Sequence, residues 1–547
     1  MGGVAQLGER RLCKPEVRGS IPLASISSSG HFLPILFAWF FVPWTFTACL
    51  LPRAFPQTVH LSISPETTWI EQPRDAEGHL DFVAAVNARG WRDRAREQNA
   101  ARTILPLLSD HDWIPDQRRR VFAELGAEPA ATVIPTAKEF AESRGISRDE
   151  LDQELKACAK TLWRGEQHPA MVAWLQSADG PLDAVCSALS DPYFFVPFCR
   201  TEPGQRLVDV DLYYLAQLRE VGLLLAARGL RRIADGETKT GWDDLIAVQR
   251  LGRLVNGGAT LVDGLVSVNI FSTACEAARV AVAHSKLADA DWADLSQRWD
   301  TAYDGPQLKL QFENDHLAFL ELMYDYARAA DPAKFEPILS MIDTASQIAG
   351  QESGAADNVL LAVHALRSEG DCDFDAALRG INQTILKRLV EFVEEQPHVR
   401  VAMIAMFQRD FDKQLTNLKA QLANTSIERT PAVRGELICG IVHSLMMPNY
   451  LSIYRGHARV RENRKVVQIA LHLRGLQQSG QLTRDPEVDL KRFHKNFDLI
   501  EDRNLNLLHI AVESGPLVIS SSGLNMKHEE PKSIDAATDD FTIVLPD

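Results

Sequence analysis

The sequence lacks the short motifs that mark the most familiar catalytic and cofactor sites. It has no HExxH metallopeptidase helix, no GxSxG nucleophile elbow, no GxxxxGK[ST] phosphate loop and no GxGxxG turn after a strand. Each of these motifs holds a reactive or phosphate-binding group in one local geometry, so no catalytic residue and no cofactor is predicted. An enzyme of this sequence would need a site assembled from distant residues.

Cysteine and positive charge do not occur in functional patterns either. The cysteines form no CxxC pair and no disulfide-type cluster, so most of them are expected to be buried free thiols. Cys186–Cys199 is the one pair worth testing as a bridge. The net charge is −15 and the one arginine triplet, Arg118–Arg120, is short, which argues against a nucleic-acid partner. The cysteines are Cys13, Cys49, Cys158, Cys186, Cys199, Cys275, Cys372 and Cys439.

The first 51 residues differ from the rest of the chain. Residues 1–30 resemble the peptide produced when a bacterial transfer-RNA gene is translated, which implies a non-native or disordered leader; the alternative is a genuine basic segment before a membrane signal. Residues 31–51 are predicted to be an anchor or signal, because 32–51 are uncharged and about as long as a bilayer is thick. An uncleaved signal anchor is favoured over a cleaved signal peptide, and a lipoprotein signal with Cys49 as the lipidated residue comes third. Each of these three interpretations places the domain that follows outside the cytoplasm.

The remaining chain divides into a linker, a helical domain and a short terminal module. Residues 52–80 are polar and proline-rich, which predicts a linker with at most a short strand near 59–63. Residues 81–450 show apolar residues every three or four positions and are predicted to be α-helical. Residues 451–547 predict a long helix over 453–478 and then strands near 507–513, 517–520 and 541–545. The predicted fold class is mainly α: an irregular helical domain, with a solenoid as the alternative, and a small C-terminal α+β module.

Residues 209–256 predict two amphipathic helices joined by a tight turn at Gly236. Thr238 or Thr240 is expected to cap the second helix, and Asp243 and Asp244 to complement its dipole. A helix rich in alanine and leucine followed by a helix headed by tryptophan resembles one tetratricopeptide-type unit. The resemblance covers a single repeat, with no clear repetition at its usual period. It implies a helical surface for a protein or peptide partner.

The last 90 or so residues resemble the C-terminal part of the major pseudopilins of type II secretion. The shared pattern is a long helix, a short sheet, a serine-glycine turn with acidic residues and a final strand. The acidic calcium loop of that family is represented here only by Asn525, Glu529 and Glu530. The resemblance implies an appended module and, as one alternative, an accessory role in a secretion or pilus-like assembly.

Two groups of residues are candidate metal ligands. Asp371, Asp373 and Asp375 alternate as in the first half of an EF-hand loop, but Ala376 and Asn382 stand where the turn glycine and the bidentate glutamate belong. The favoured interpretation is a solvated turn that caps a helix starting near Ala376.

The second candidate pair, Cys439 and His443, lies on one helix face, with His457 as the nearest further ligand. A buried cysteine beside a hydrogen-bonded histidine is favoured over zinc. Glu313–His316 is interpreted as a helix start rather than as an acid–base group.

The combined expectation is a membrane-anchored envelope protein that resembles helical ectodomains of bacteria. It would act as a non-enzymatic scaffold for a protein or peptide, with the membrane contacted through residues 32–51 and no nucleic acid bound. The alternative is an envelope hydrolase, which a deep pocket with converging histidines or carboxylates would favour over an apolar groove.

Overall fold

The fold is mainly α-helical, as predicted. The computed structural model describes residues 58–92, 94–202, 204–303, 308–328, 365–394, 508–512, 517–521 and 541–545, and 409–483 without 411–412, 414–415, 419, 423 and 425–427. Outside these residues lie the leader 1–30, the hydrophobic segment 32–51, Cys13 and Cys49, and the loop positions Asn525, Glu529 and Glu530.

The helices are α1 (Phe82–Trp91), α2 (Ala101–Leu107), α3 (Pro115–Leu125), α4 (Ala137–Arg144), α5 (Arg148–Cys158), α6 (Pro169–Ala188), α7 (Tyr213–Ala234), α8 (Thr238–Asn256), α9 (Leu261–His284), α10 (Asp289–Thr301), α11 (Leu308–Arg328), α12 (Asp375–Glu394) and α13 (Pro431–Gln478). Short 3-10 helices lie at Arg96–Gln98, Gly165–Gln167 and Leu207–Asp209. The strands are β1 (Val59–His60), β2 (Cys372–Asp373), β3 (Leu508–Val512), β4 (Leu517–Ser521) and β5 (Thr542–Leu545). β1 and β2 pair in parallel, whereas β3, β4 and β5 form an antiparallel sheet in that order.

The predicted helical hairpin is present as α7 and α8. Gly236 has φ +91° in the turn between them, a conformation that favours glycine. The two helices touch through backbone, because a Cβ at Gly229 would lie only 2.8 Å from the carbonyl oxygen of Gly241. The expected threonine cap is absent: α8 follows Glu237 without a side-chain cap. Asp244 does not complement the dipole in the first turn but is buried against α7.

The larger hydrophobic core is built around α9, which packs against α7, α8 and α13. Among the described helices, α9 has the length and hydropathy to cross a membrane. Its Ile270, Phe271 and Ala274 are nevertheless almost fully buried in contact with other helices. The pattern of α9 is therefore that of a central core helix.

The C-terminal strands share this larger core. The sequence predicts separate helices at 432–446 and 453–478, but α13 is one helix that continues through Pro448. The domain boundary expected at 450–451 therefore falls inside a single helix. β4 and β5 pack on α13, and Ile519 and Ile543 are fully buried in the same core as α9.

A second core joins α1, α11, the start of α12 and the first half of α13. The described part of the expected linker, residues 58–80, belongs to it. Thr67 and Thr68 are buried, and Ile70 and Leu80 contribute apolar side chains to this core. β1 lies within the short strand expected near 59–63. Residues 58–80 are thus part of the folded unit.

Candidate metal centre and candidate binding cleft

The three alternating aspartates lie beside the N-terminal strand. β2 pairs with β1 so that His60 is opposite Asp373. The side chains of a strand alternate between its two sides, so Cys372 and Phe374 point into the core while the aspartates face the other way. The loop therefore does not encircle a calcium ion as an EF-hand loop does.

The outer two aspartates bind backbone N–H groups of the N-terminal segment. Asp371 Oδ1 accepts from Thr58 N at 2.9 Å. Asp375 accepts from Ser62 N at 2.7 Å and from the Ser62 hydroxyl at 2.5 Å. The sequence predicts a solvated turn, but Asp375 is buried by these contacts. Burial opposes its charge, yet the Ser62 donors and the nearby His60 outweigh burial and lower the pKa of Asp375.

His60 completes a group of three potential metal ligands with Asp373 and Asp375. Its Nδ1 lies 3.4 Å from Asp373 Oδ1 and 3.7 Å from Asp375 Oδ2. One ligand atom from each residue fits within 4.8 Å of the other two. Sequence reasoning missed His60 because it lies 313 residues from its partner. Only the pairing of β1 with β2 brings them together.

Asn382, expected at the last calcium position, has a different role. Its amide nitrogen donates to the carbonyl oxygens of Glu66 and Thr67, at 2.7 Å and 3.0 Å. Its Oδ1 lies 2.6 Å from His316 Nε2. Asn382 therefore joins the N-terminal segment to α11, and its side chain is bonded there and not to the three aspartates.

The structure does not assemble the second candidate pair into a metal site. Cys439 and His443 are both buried on α13, and His443 packs edge-on against Phe319. Burial raises the pKa of the Cys439 thiol well above its ordinary value. Within the described residues, neither belongs to a group of three potential ligands. Cys186 and Cys199, the pair considered for a bridge, are both free thiols.

Glu313–His316 is not a helix start, because α11 begins at Leu308 and these residues lie in its second and third turns. His316 is fully buried, 4.4 Å from the Trp69 ring centroid. Burial lowers the pKa of His316 to about 3, so the ring is neutral at physiological pH. The ring packs between Trp69 and Phe319 and contacts Asn382.

Glu321 of α11 makes the stability of this core depend on pH. The side chain is 5% exposed and accepts from Leu207 N at 2.6 Å. Burial raises its pKa to about 8 from 4.5. The folded state therefore binds the proton of Glu321 more tightly than the unfolded state. The stability that this protonation contributes is lost as pH rises from 4.5 to about 8.

Glu321→Gln is expected to flatten that dependence, because glutamine can still accept the Leu207 N–H without titrating. The free energy of unfolding near pH 8 should rise by on the order of 1–4 kcal/mol relative to the wild type, with little difference near pH 4.5. Urea unfolding at several pH values measures it. A constant difference at all pH values would show that Glu321 does not titrate in this window.

A cleft lies between α3 and the loops that flank it, with a volume of about 360 Å³. Trp113 and Phe122 form its apolar floor, their ring centroids 6.3 Å apart. The Arg118 guanidinium lies 4.7 Å from the Phe122 ring centroid and pairs with Asp110 at 3.4 Å. The full lining is Asp110, Trp113, Pro115, Arg118, Arg119, Phe122, Ala123, Ala127, Glu128 and Pro129.

No protein-family model, curated protein or solved structure matches this chain.

Proposed function

We propose that this chain is a membrane-anchored envelope protein that holds a protein or peptide partner and catalyses no reaction. The observation that supports this proposal is the cleft on α3. Its floor is aromatic, and Pro115 and Pro129 are exposed at its edges. Aromatic residues and arginine are enriched at protein interfaces, and here the edges of two largely buried rings reach the cleft beside Arg118 and Arg119.

The chemistry of the lining disfavours the hydrolase alternative. The carboxylates of the cleft, Asp110 and Glu128, come from different loops, and Asp110 is already paired with Arg118. No histidine or cysteine lines this cleft. The contact that would activate a serine or cysteine nucleophile is thus not provided there.

The partner segment suited to this cleft carries an apolar side chain and an acidic group. The apolar side chain would rest on Trp113 and Phe122, which are 7% and 5% exposed. Arg119, whose side chain is 76% exposed and pairs with Asp116, would orient the acidic group by turning from Asp116 to the partner. A volume of 360 Å³ is at the small end of roughly 300–1,000 Å³ for ligand sites, and suits one or two side chains of a longer segment.

The anchor proposed at residues 32–51 would keep this surface close to the membrane. Residues 52–57 separate that segment from the first described residue. Six residues span at most about 20 Å at roughly 3.3–3.6 Å each. The folded unit would therefore lie beside the bilayer and meet partners at or near the membrane surface.

Photo-cross-linking in cells tests the cleft. We expect benzoylphenylalanine in place of Glu128, at the edge of the cleft, to give a discrete adduct. Ala123→Arg, which places a long side chain on the exposed wall of the cleft, should reduce the adduct by about tenfold or more, equivalent to about 1.4 kcal/mol. Because Ala123 is exposed, stability should change by less than about 0.5 kcal/mol.

Gln153, exposed on α5, supplies the matched control. The cross-linker at Gln153 should give no such adduct, and Gln153→Arg should leave the Glu128 adduct unchanged. An adduct that persists in Ala123→Arg would place the partner elsewhere and remove the support for this proposal.

A further inference from the structure

We propose that His60, Asp373 and Asp375 bind one divalent transition-metal ion of the zinc class, which joins β1 to β2. The three side chains carry the donor types that zinc accepts, an imidazole nitrogen and two carboxylate oxygens. The site uses no loop of its own. It is formed where two distant strands pair in a fixed register.

The distances fit a tetrahedral site with small side-chain adjustments. Zinc bonds of roughly 2.0–2.1 Å require ligand atoms about 3.3 Å apart. His60 Nδ1 is 3.4 Å from Asp373 Oδ1 and 3.7 Å from Asp375 Oδ2, and no pair of the chosen ligand atoms exceeds 4.8 Å. The side chains of His60 and Asp373 are 65% and 40% exposed, so they have room to close on an ion and leave the fourth position to water.

The neighbouring groups orient two of the ligands. Ser62 donates its backbone N–H and its hydroxyl to Asp375. The backbone N–H of Asp375 donates to Asp373 Oδ1 at 3.0 Å. Hydrogen bonds of this kind fix the direction of ligand lone pairs, and a carboxylate retains further lone pairs for a metal.

The positive charge of Arg379 should weaken metal binding at Asp375. Its Nη1 lies 3.8 Å from Asp375 Oδ2, and its side chain is 46% exposed. A positive charge at this distance competes with a cation for the carboxylate. Removing it should therefore strengthen metal binding, which a purely structural role for the aspartates would not require.

Zinc titration of the purified, tag-free full-length chain in detergent tests the site. Isothermal titration with zinc chloride should show one saturable site that His60→Ala and Asp373→Asn each weaken by at least about tenfold, since loss of even an outer partner typically costs about 10–100-fold. Zinc should also raise the apparent Tm of the wild type but not of His60→Ala. Arg379→Gln should bind zinc more tightly than the wild type.

Asp371→Asn is the matched control, because Asp371 lies on the same strand side but binds Thr58 and not the ligand group. Its zinc affinity should equal that of the wild type. His60 is exposed, so His60→Ala should fold normally, which circular dichroism without metal checks. The proposal is overturned if the wild type takes up no zinc, if calcium or magnesium binds more tightly than zinc, or if His60→Ala and Asp373→Asn retain wild-type affinity.

Discussion

Arg228→Met is expected to lower the free energy of unfolding by about 3 kcal/mol, because it leaves a buried carboxylate short of its main partner. Arg228 on α7 and Asp244 on α8 each have side chains 3% exposed. Two hydrogen bonds join them, at 3.1 Å and 2.7 Å. Methionine preserves much of the arginine stem but supplies no donor, and among the described side chains Arg232 would remain to bind Asp244, at 2.8 Å.

Urea unfolding measures this loss, and Arg231→Met is the matched control. Arg231 is on the same helix, but its pair with Asp235 is long, at 3.8 Å, and its partly exposed guanidinium lies 5.8 Å from the Trp163 ring centroid. Its replacement should change stability by less than about 0.5 kcal/mol. The double variant Arg228→Met with Asp244→Leu should recover much of the loss, since neither charge then remains buried alone. Equal losses for Arg228→Met and Arg231→Met would contradict this account of the hairpin.

Phe374→Ala is expected to lower the free energy of unfolding by about 3–5 kcal/mol. Phe374 is fully buried and stacks on Tyr326, with ring centroids 6.0 Å apart. It lies between the two aspartates that face His60, and beside Gly435 on α13. The cavity left by alanine should therefore weaken the pairing of β2 with β1 as well as the packing of the core beneath it.

Hydrogen exchange separates the local effect from the global one. In Phe374→Ala, exchange at Val59–Ser62 should increase more than exchange in α7, which belongs to the other core. Phe374→Leu retains most of the apolar volume and should show a smaller change in both measurements. If protection at Val59–Ser62 stays at the wild-type level in the alanine variant, Phe374 does not support the strand pair.

The sequence predicts the parts of this fold that arise from local patterns. The apolar stripe of 209–256 and the turn at Gly236 identify the helical hairpin, because helical periodicity needs only one turn of context. The three C-terminal strands are recognisable because short apolar runs between turn residues are also a local pattern.

Contacts between distant residues could not be predicted in this way. Asp244 looks like a residue placed for the helix dipole, and only its position opposite Arg228 makes it a buried ion pair. The aspartates at 371–375 look like a local turn, because nothing near them in sequence indicates β1. The polar composition of 58–80 likewise hides its contacts with α11 and α12, which depend on side chains such as Asn382.

The cleft shows an intermediate case. Trp113, Pro115 and the arginines at 118–120 are visible in the sequence as an unusual cluster, which could have drawn attention to α3. Which face of α3 is open depends on the loops at Asp110 and Ala127–Pro129. No pattern within the helix itself reports on those loops.

The location of the folded unit tests most directly whether this chain is an envelope protein anchored beside the membrane. Cells expressing the chain with a tag at Asp547 are fractionated, and protease is added to intact spheroplasts. We expect the tag to sediment with the membranes and to be digested by the protease from outside. A soluble tag that is protected from the protease would contradict the anchored envelope scaffold and place the folded unit in the cytoplasm.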